Sequence, residues 1–341
     1  MANAAFFRNL YSKCKMHGSG DAQVVISDGE LFSLICIALN NLNWSFEELA
    51  ITPVELPDDD YYKIPMSWFE EKNNIEPKTI ISAIKSCFQK DNDFSLFIEN
   101  LSALHRRRVK YKRILSTQPV PNMDQIGPRV LLEYGGCDTT LLANWMVWRK
   151  WIYDIDNRSA QETGYLFEPL LASCLGGEPV GSRNSPVKRL DNNGEASNKG
   201  RQIDCLVPSN NKTYELKLRV TIAASGQGRF GEELSFPVES MAAGFTPVLL
   251  VLDPTPSDRL RELSEKYLEC GGEFYHGEEA WAHIEKEAGS VVSVFIEKYI
   301  KPAIQGVEAV DIPMLETITL NWTKQSVEIS SSQSSYIIER Q

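Results

Sequence analysis

Several recurrent catalytic and cofactor signatures are missing from this chain. It has no G-x-x-x-x-G-K-[ST] loop, which argues against ATP-driven motion, and no G-x-S-x-G elbow of a serine hydrolase. Histidine is scarce. The four residues His17, His105, His276 and His283 show no ligand spacing, and His283 is expected on a helix surface. Seven cysteines (Cys14, Cys36, Cys87, Cys137, Cys174, Cys205 and Cys270) contain no C-x-x-C pair, so a zinc ribbon and a thioredoxin-type site are both excluded. Reduced, mostly buried thiols in a cytoplasm are the simplest reading. No stretch approaches the roughly 18 apolar residues of a membrane span. Residues 1–16 also lack the apolar segment and cleavage site of a signal peptide.

What is present is an ordinary globular composition. The 341 residues are 43% hydrophobic and 24% charged, enough for a real core, and the length suggests two domains. With 46 acidic against 35 basic side chains, the formal charge is −11, which argues against coating nucleic acid by bulk charge. That charge is uneven. Residues 101–115 carry six Lys/Arg and no acid, and residues 181–231 carry nine against four. Positive charge is thus gathered in two stretches of an acidic chain.

Residues 1–160 read as helices. Leu31, Leu34, Ile35 and Ala38 have helical spacing behind Asp28, a possible cap, and Ile80, Ile81, Ile84 and Phe88 follow Pro77. The segment Phe94 to Leu115 continues helically and becomes basic from His105 to Arg113. A run of this kind is a solvated helix face or a phosphate grip. Residues 161–305 change to alternating helix and strand. Phe167, Leu170, Leu171, Cys174 and Leu175 form a stripe closed by Gly176 and Gly177, and Pro169 implies a late start or a bend. Strands are predicted at 201–207, 212–220 and 248–252, and a helix capped by Ser257 carries Leu260, Leu263 and Tyr267. This order predicts an α/β class. Residues 306–341 read as an extension whose Ser-rich end, 330–335, is expected to be poorly ordered.

The hairpin around Pro208-Ser209-Asn210-Asn211 holds the strongest chemical signal. Alternation puts Glu215 and Lys217 on one face, and a four-residue loop sets Asp204 opposite Glu215 with Cβ atoms about 5 Å apart. Carboxylates that close repel unless a cation lies between them, and hard oxygen donors favour Mg²⁺. Glu-x-Lys alone is weak: Glu70-Glu71-Lys72 and Glu76-Pro77-Lys78 match too, without strand context. The competing view is a polar hairpin face with a surface ion pair.

The ordered set Glu168, Asp204, Glu215 and Lys217 resembles the PD-(D/E)XK nuclease superfamily. The stretches 162–168, 185–189 and 200–205 more narrowly resemble ApaLI-like type II restriction endonucleases. Ile203 stands where the superfamily motif has proline. The resemblance implies a restriction-endonuclease-like core, a mixed sheet flanked by helices, behind a mainly helical N-terminal region. It also implies Mg²⁺-dependent cleavage of both strands of a short palindromic double-stranded DNA site, with Mn²⁺ as a substitute. Asp204, Glu215 and the Leu216 carbonyl would hold metal, Lys217 would orient water or stabilise charge, and Glu168 would be a further or outer ligand. Symmetric DNA implies a homodimer, with residues 1–160 supplying dimerisation or a DNA clamp. The functional companion is a cognate DNA methyltransferase, and the setting is the prokaryotic cytoplasm.

DNA contacts are expected from Arg183, Lys188, Arg189, Asn192, Asn193, Asn198, Lys199 and Arg201, because Arg and Asn fit guanine and adenine edges. Arg219, Gln227 and Arg229 lie beside the site. The G-x-G-x-x-G match at 226–231 offers a rival dinucleotide reading, but no tight strand-to-helix turn precedes it and Pro237 is expected to interrupt the next helix. The residues are also compatible with a structure-specific or repair nuclease and with a non-catalytic DNA-binding module.

Overall fold

The structure, a computed structural model, describes residues 4–16, 24–71, 75–191, 193–217, 227–308 and 318–341. Arg219, Asn192, Gly226 and His17 therefore lie outside the described residues.

The N-terminal part is helical: α1 (Ala4–Lys15), α2 (Asp28–Asn41), α3 (Met66–Glu70), α4 (Pro77–Lys90), α5 (Phe94–Thr117) and α6 (Met123–Ile126) precede α7 (Thr139–Cys174). The cap of α2 is Ser27 rather than Asp28. Its backbone is extended, its side chain accepts the Glu30 N–H, and Glu30 reaches back to the Ser27 N–H, a reciprocal box that satisfies two end donors. Helix α7 neither starts late nor ends at Pro169, but runs through it for 36 residues. An internal proline costs about 3 kcal/mol. The turn beyond it buries Leu170, Leu171, Ala172 and Cys174, which offsets that cost.

Beyond α7 come β1 (Glu178–Val180), β2 (Lys188–Leu190), β3 (Ala196–Gly200), β4 (Ile203–Val207), β5 (Lys212–Lys217), α8 (Gln227–Ala242), β6 (Thr246–Val251), α9 (Asp258–Glu269), β7 (Glu273–His276) and α10 (Glu278–Glu287). Next are α11 (Ser290–Phe295), a π-helical turn at Ile296–Ile300, and α12 (Lys301–Glu308). The central sheet has the order β1-β4-β5-β6-β7. Its β1, β4 and β5 are antiparallel neighbours, whereas β5-β6 and β6-β7 are parallel. The mixed α/β class expected from the sequence is thus observed. Strands β2 and β3 form a separate two-stranded arm.

The sheet separates two apolar clusters. Cys205, Val207, Tyr214, Leu216, Val248 and Leu250 join a core shared with α1, α2, α4, α5, α7 and α11. On the other side, Leu249 and Val251 pack with Phe236 of α8 and Leu260, Leu263 and Tyr267 of α9. Helix α8 also runs through its proline, Pro237.

The Ser-rich end is part of a sheet. Strands β8 (Thr319–Trp322), β9 (Ser326–Ser330) and β10 (Ser335–Glu339) form an antiparallel sheet with residues 331–334 as its turn. Val327 and Ile338 bury against Leu115 and Trp151, and the Trp322 ring meets Trp151 at 4.8 Å. Alternation of Val327 and Ile329 against polar neighbours outweighs the serine content.

His283 is another correction. It is buried on α10, stacked on Tyr275 at 4.1 Å, with Nε2 3.2 Å from the Tyr214 hydroxyl. The thiols of Cys14, Cys36, Cys87, Cys174 and Cys205 are free and buried, as expected.

Candidate active site

Pairing of Cys205 with Tyr214, Leu206 with Thr213 and Val207 with Lys212 is the expected hairpin register. It carries Asp204 and Glu215 onto adjacent strands, on the face covered by α8. Tyr214 and Leu216 point the other way, into the core, while Glu215 and Lys217 remain half-buried. Asp204 Oδ2 accepts the Leu216 backbone N–H at 3.0 Å, which fixes the carboxylate across the strand pair. Lys217 Nζ donates to Glu215 Oε1 at 2.8 Å.

The electrostatics follow from this crowding. Burial, then the charge of Glu215, pushes the Asp204 carboxyl well above the usual carboxylate range. Glu168, near the end of α7, is raised by burial and again by Glu215, so it faces the same group. Burial works to lower the Lys217 ammonium, but Glu215 and Glu233 outweigh it and hold it above its ordinary value. Lys217 is therefore a cation here.

Glu233 has no counterpart among the residues expected from sequence. It lies on α8, and its Oε1 accepts from Lys217 Nζ at 3.1 Å. Its Oε2 is buried and has no hydrogen-bond partner among the described residues. Tyr267 of α9, expected only as a helix-stripe residue, brings a buried hydroxyl, without a hydrogen-bond partner among the described residues, beneath the same carboxylates.

Among the described residues no group of three or more His, Cys, Asp or Glu encloses a metal position. The oxygen-only donors Asp204 and Glu215 nevertheless fit a hard divalent cation, which needs only one or two carboxylates beside water and phosphate oxygens. The mutual repulsion recorded in Asp204 is what such a cation relieves.

The candidate DNA contacts separate into four groups. Arg183, Asn193, Asn198 and Lys199 are exposed around the β2–β3 arm. Lys188 donates to the Ser185 carbonyl at 3.0 Å, and Arg189 lies 3.1 Å from Glu232. Arg201 is buried, bonded to the Glu232 carbonyl and 3.6 Å from Glu239, so its guanidinium braces the arm. Gln227 and Arg229 belong to the first turn of α8.

The basic run of α5 is engaged within the chain over most of its length. His105 lies buried beside Tyr61, Arg106 bonds the Cys14 carbonyl, and Arg107 and Lys110 share Glu162. Arg108 covers the Tyr61 ring at 4.6 Å. Lys112 and Arg113 remain exposed.

The rival features do not form sites of this kind. Gly228 and Gly231 lie inside α8 rather than in a strand-to-helix turn, and Gly226 falls outside the described residues. Glu70 ends α3, and Pro77 opens α4. The hairpin triplet therefore keeps its strand context.

Comparison with known proteins decides among the nuclease readings. The sequence model of the ApaLI-like restriction endonuclease family matches residues 56–301, most of the chain and all of the central sheet. The chain belongs to that family. It is 42% identical over 300 residues to the type II restriction enzyme ApaLI of Acetobacter pasteurianus, covering 85% of this chain and 79% of that protein. No solved structure matches. The activity class is that of a site-specific endodeoxyribonuclease, which binds DNA and works with divalent metal ions. No helix among the described residues is long and apolar enough to cross a membrane.

Proposed function

We propose that this endonuclease is Mg²⁺-dependent and cuts both strands of a short palindromic site as a homodimer. The observation that carries the reading is the placement of Asp204 and Glu215 on adjacent antiparallel strands, close enough to repel, with Lys217 on the same face. Asp204, Glu215 and the Leu216 carbonyl would hold the cation. Once bound, Mg²⁺ supplies Lewis-acid polarisation of the phosphoryl group and acidification of water.

The chain's own groups do the rest. Asp204 is locked by the Leu216 N–H, so its free oxygen is directed without further ordering. Lys217, kept charged by its carboxylates, presents a cation to the negative charge that builds on the phosphate in the transition state. Glu168 approaches from α7 and adds an outer oxygen able to orient solvent. The exposed Arg183, Asn198 and Lys199 would grip phosphates or base edges, with Lys188 and Arg189 beside them on β2.

The described residues of one chain hold one such cluster, so a two-fold pair matches two strands of symmetric DNA. In the same reading residues 1–160 dimerise or clamp, residues 161–305 cut, and residues 306–341 extend the core. The protein works in the prokaryotic cytoplasm beside a cognate methyltransferase, and Mn²⁺ replaces Mg²⁺.

Incubation with plasmid DNA tests this. Discrete fragments should form with Mg²⁺ or Mn²⁺ but not with Ca²⁺, and Lys217→Ala should slow cutting by about 10²–10³-fold while binding persists. An unaffected Lys217→Ala enzyme, or wild type that cuts under no divalent metal, would refute it. Cleavage confined to junctions or lesions would replace it with the repair reading.

A further inference from the structure

Helix α8 touches both the β2–β3 arm and the catalytic lysine, through consecutive residues. On one side Glu232 lies 3.1 Å from Arg189 Nη1, and its carbonyl accepts from Arg201. Further along, Glu239 lies 3.6 Å from Arg201 Nε and accepts the Leu190 backbone N–H at 3.3 Å. The arm is thus fastened to α8 at the middle and the end of β2 and just past the end of β3. About 100° around the helix from Glu232, Glu233 reaches Lys217 at 3.1 Å.

These fastenings are unlike in solvent exposure. Arg201 and Glu239 are buried, with side chains 11% and 5% exposed, whereas Arg189 and Glu232 are 40% and 51% exposed. A phosphate or a guanine edge therefore competes for Arg189 but not for Arg201. On the other side of the helix, Lys217 divides its donors between Glu215 and Glu233. Were Glu215 to hold a cation with Asp204, its oxygen would no longer be available to the lysine. Glu233 then remains as the anion that keeps the ammonium in place. Its second oxygen, buried without a partner, is a desolvation cost concentrated at this one point of α8.

We infer that Glu233 is a positioning residue for Lys217, and that α8 makes the placement of Lys217 depend on whether Arg189 is engaged by DNA. This rests on the reading of Lys217 as a catalytic group. Recognition at the arm breaks the Arg189–Glu232 pair, α8 settles, and Glu233 brings the ammonium to its working position. An unengaged arm leaves Lys217 misplaced, and a displacement of about 1 Å is enough to cost about 10²-fold in rate.

The test uses the full chain and a duplex bearing the site mapped from plasmid fragments. Single-turnover cleavage is measured with Mg²⁺, and binding is measured separately by fluorescence anisotropy with Ca²⁺. Glu233→Gln should cut about 10²-fold more slowly with Kd unchanged within about twofold, and Glu233→Asp, which keeps the charge, should recover part of the rate. Glu232→Gln should narrow the rate difference between the mapped site and single-base variants of it. In the Glu232→Gln/Glu233→Gln double variant the two effects on rate should be non-additive. Wild-type rates in Glu233→Gln would overturn the positioning role, as would equal losses of binding and cleavage in both Glu233 variants. Additive effects in the double variant would overturn the link to the arm. A wild type that cuts no DNA would instead defeat the reading on which the inference stands.

Discussion

At the scale of single residues, the site works against stability. Asp204 is ionised only with difficulty because it is buried and faces Glu215. Its folded-state pKa lies above that of the unfolded chain. The stability it contributes is therefore complete below the unfolded value near 3.8 and is lost as pH rises toward the folded one. At neutral pH and without metal, the ionised group is a burden. Asp204→Asn should accordingly abolish cleavage while raising the melting temperature in EDTA, a gain of about 1 kcal/mol. The gain should shrink as pH is lowered toward the unfolded value. A lower melting temperature for the variant would mean that the Leu216 N–H bond, rather than the repulsion, dominates. The pair itself was legible because a strand pair obeys a rigid period of two, so one turn length fixes who faces whom. Glu233 was not legible, because it enters from a helix sixteen positions beyond Lys217 and no local pattern ties the two together. Its local sign is a doubled acid, Glu232-Glu233, in α8.

At the scale of elements, the placement of β4 depends on how tightly α7 returns to the sheet. Gly176 closes the helix with a φ of 73°, and Gly177 then lies directly on β4. A Cβ at Gly177 would stand 2.5 Å from the Leu206 carbonyl oxygen and 2.6 Å from Cys205 Sγ, on both of which little movement is possible. Gly177→Ala should therefore destabilise the fold by about 1–3 kcal/mol, read as a lowered urea midpoint. It should slow cleavage beyond that loss, because β4 carries Asp204. An alanine variant of wild-type stability would show that the strand moves freely. The double glycine was readable as a helix stop, but its service as a contact surface for β4 was not. Composition misleads in three other places. Prolines at 169 and 237 suggest interruptions, and serines at 330–335 suggest disorder. In each case burial of apolar neighbours, Leu170 and Leu171, Phe236, or Val327 and Ile338, overrides local propensity.

At the scale of the whole molecule, the helical half and the sheet share one interior. Phe97 of α5 meets Phe295 at 5.5 Å and Tyr299 at 5.8 Å, and Tyr299 also meets Tyr61 at 5.4 Å. Helix α7 crosses residue 160 without a break, so a division of roles there need not be a division in stability. Two buried histidines give a way to test this. His105, between Tyr61 and Glu30, and His283, against Tyr214 and Tyr275, are both lowered from their ordinary value by burial. A histidine lowered in the fold is protonated first in the unfolded chain. Stability is then complete above about pH 6.5 and is lost as pH falls from there toward the folded values. Each residue sits in a different half, so acidification loads both. If the halves form one cooperative unit, far-UV and near-UV circular dichroism should report a single coincident thermal transition at every pH from 7.5 to 5.5, moving to lower temperature throughout. Replacing His105 with Gln should flatten that pH dependence for both signals together, although His105 lies in the helical half. Two separated transitions, or a change confined to one signal, would instead show that the nuclease sheet stands without its N-terminal helices.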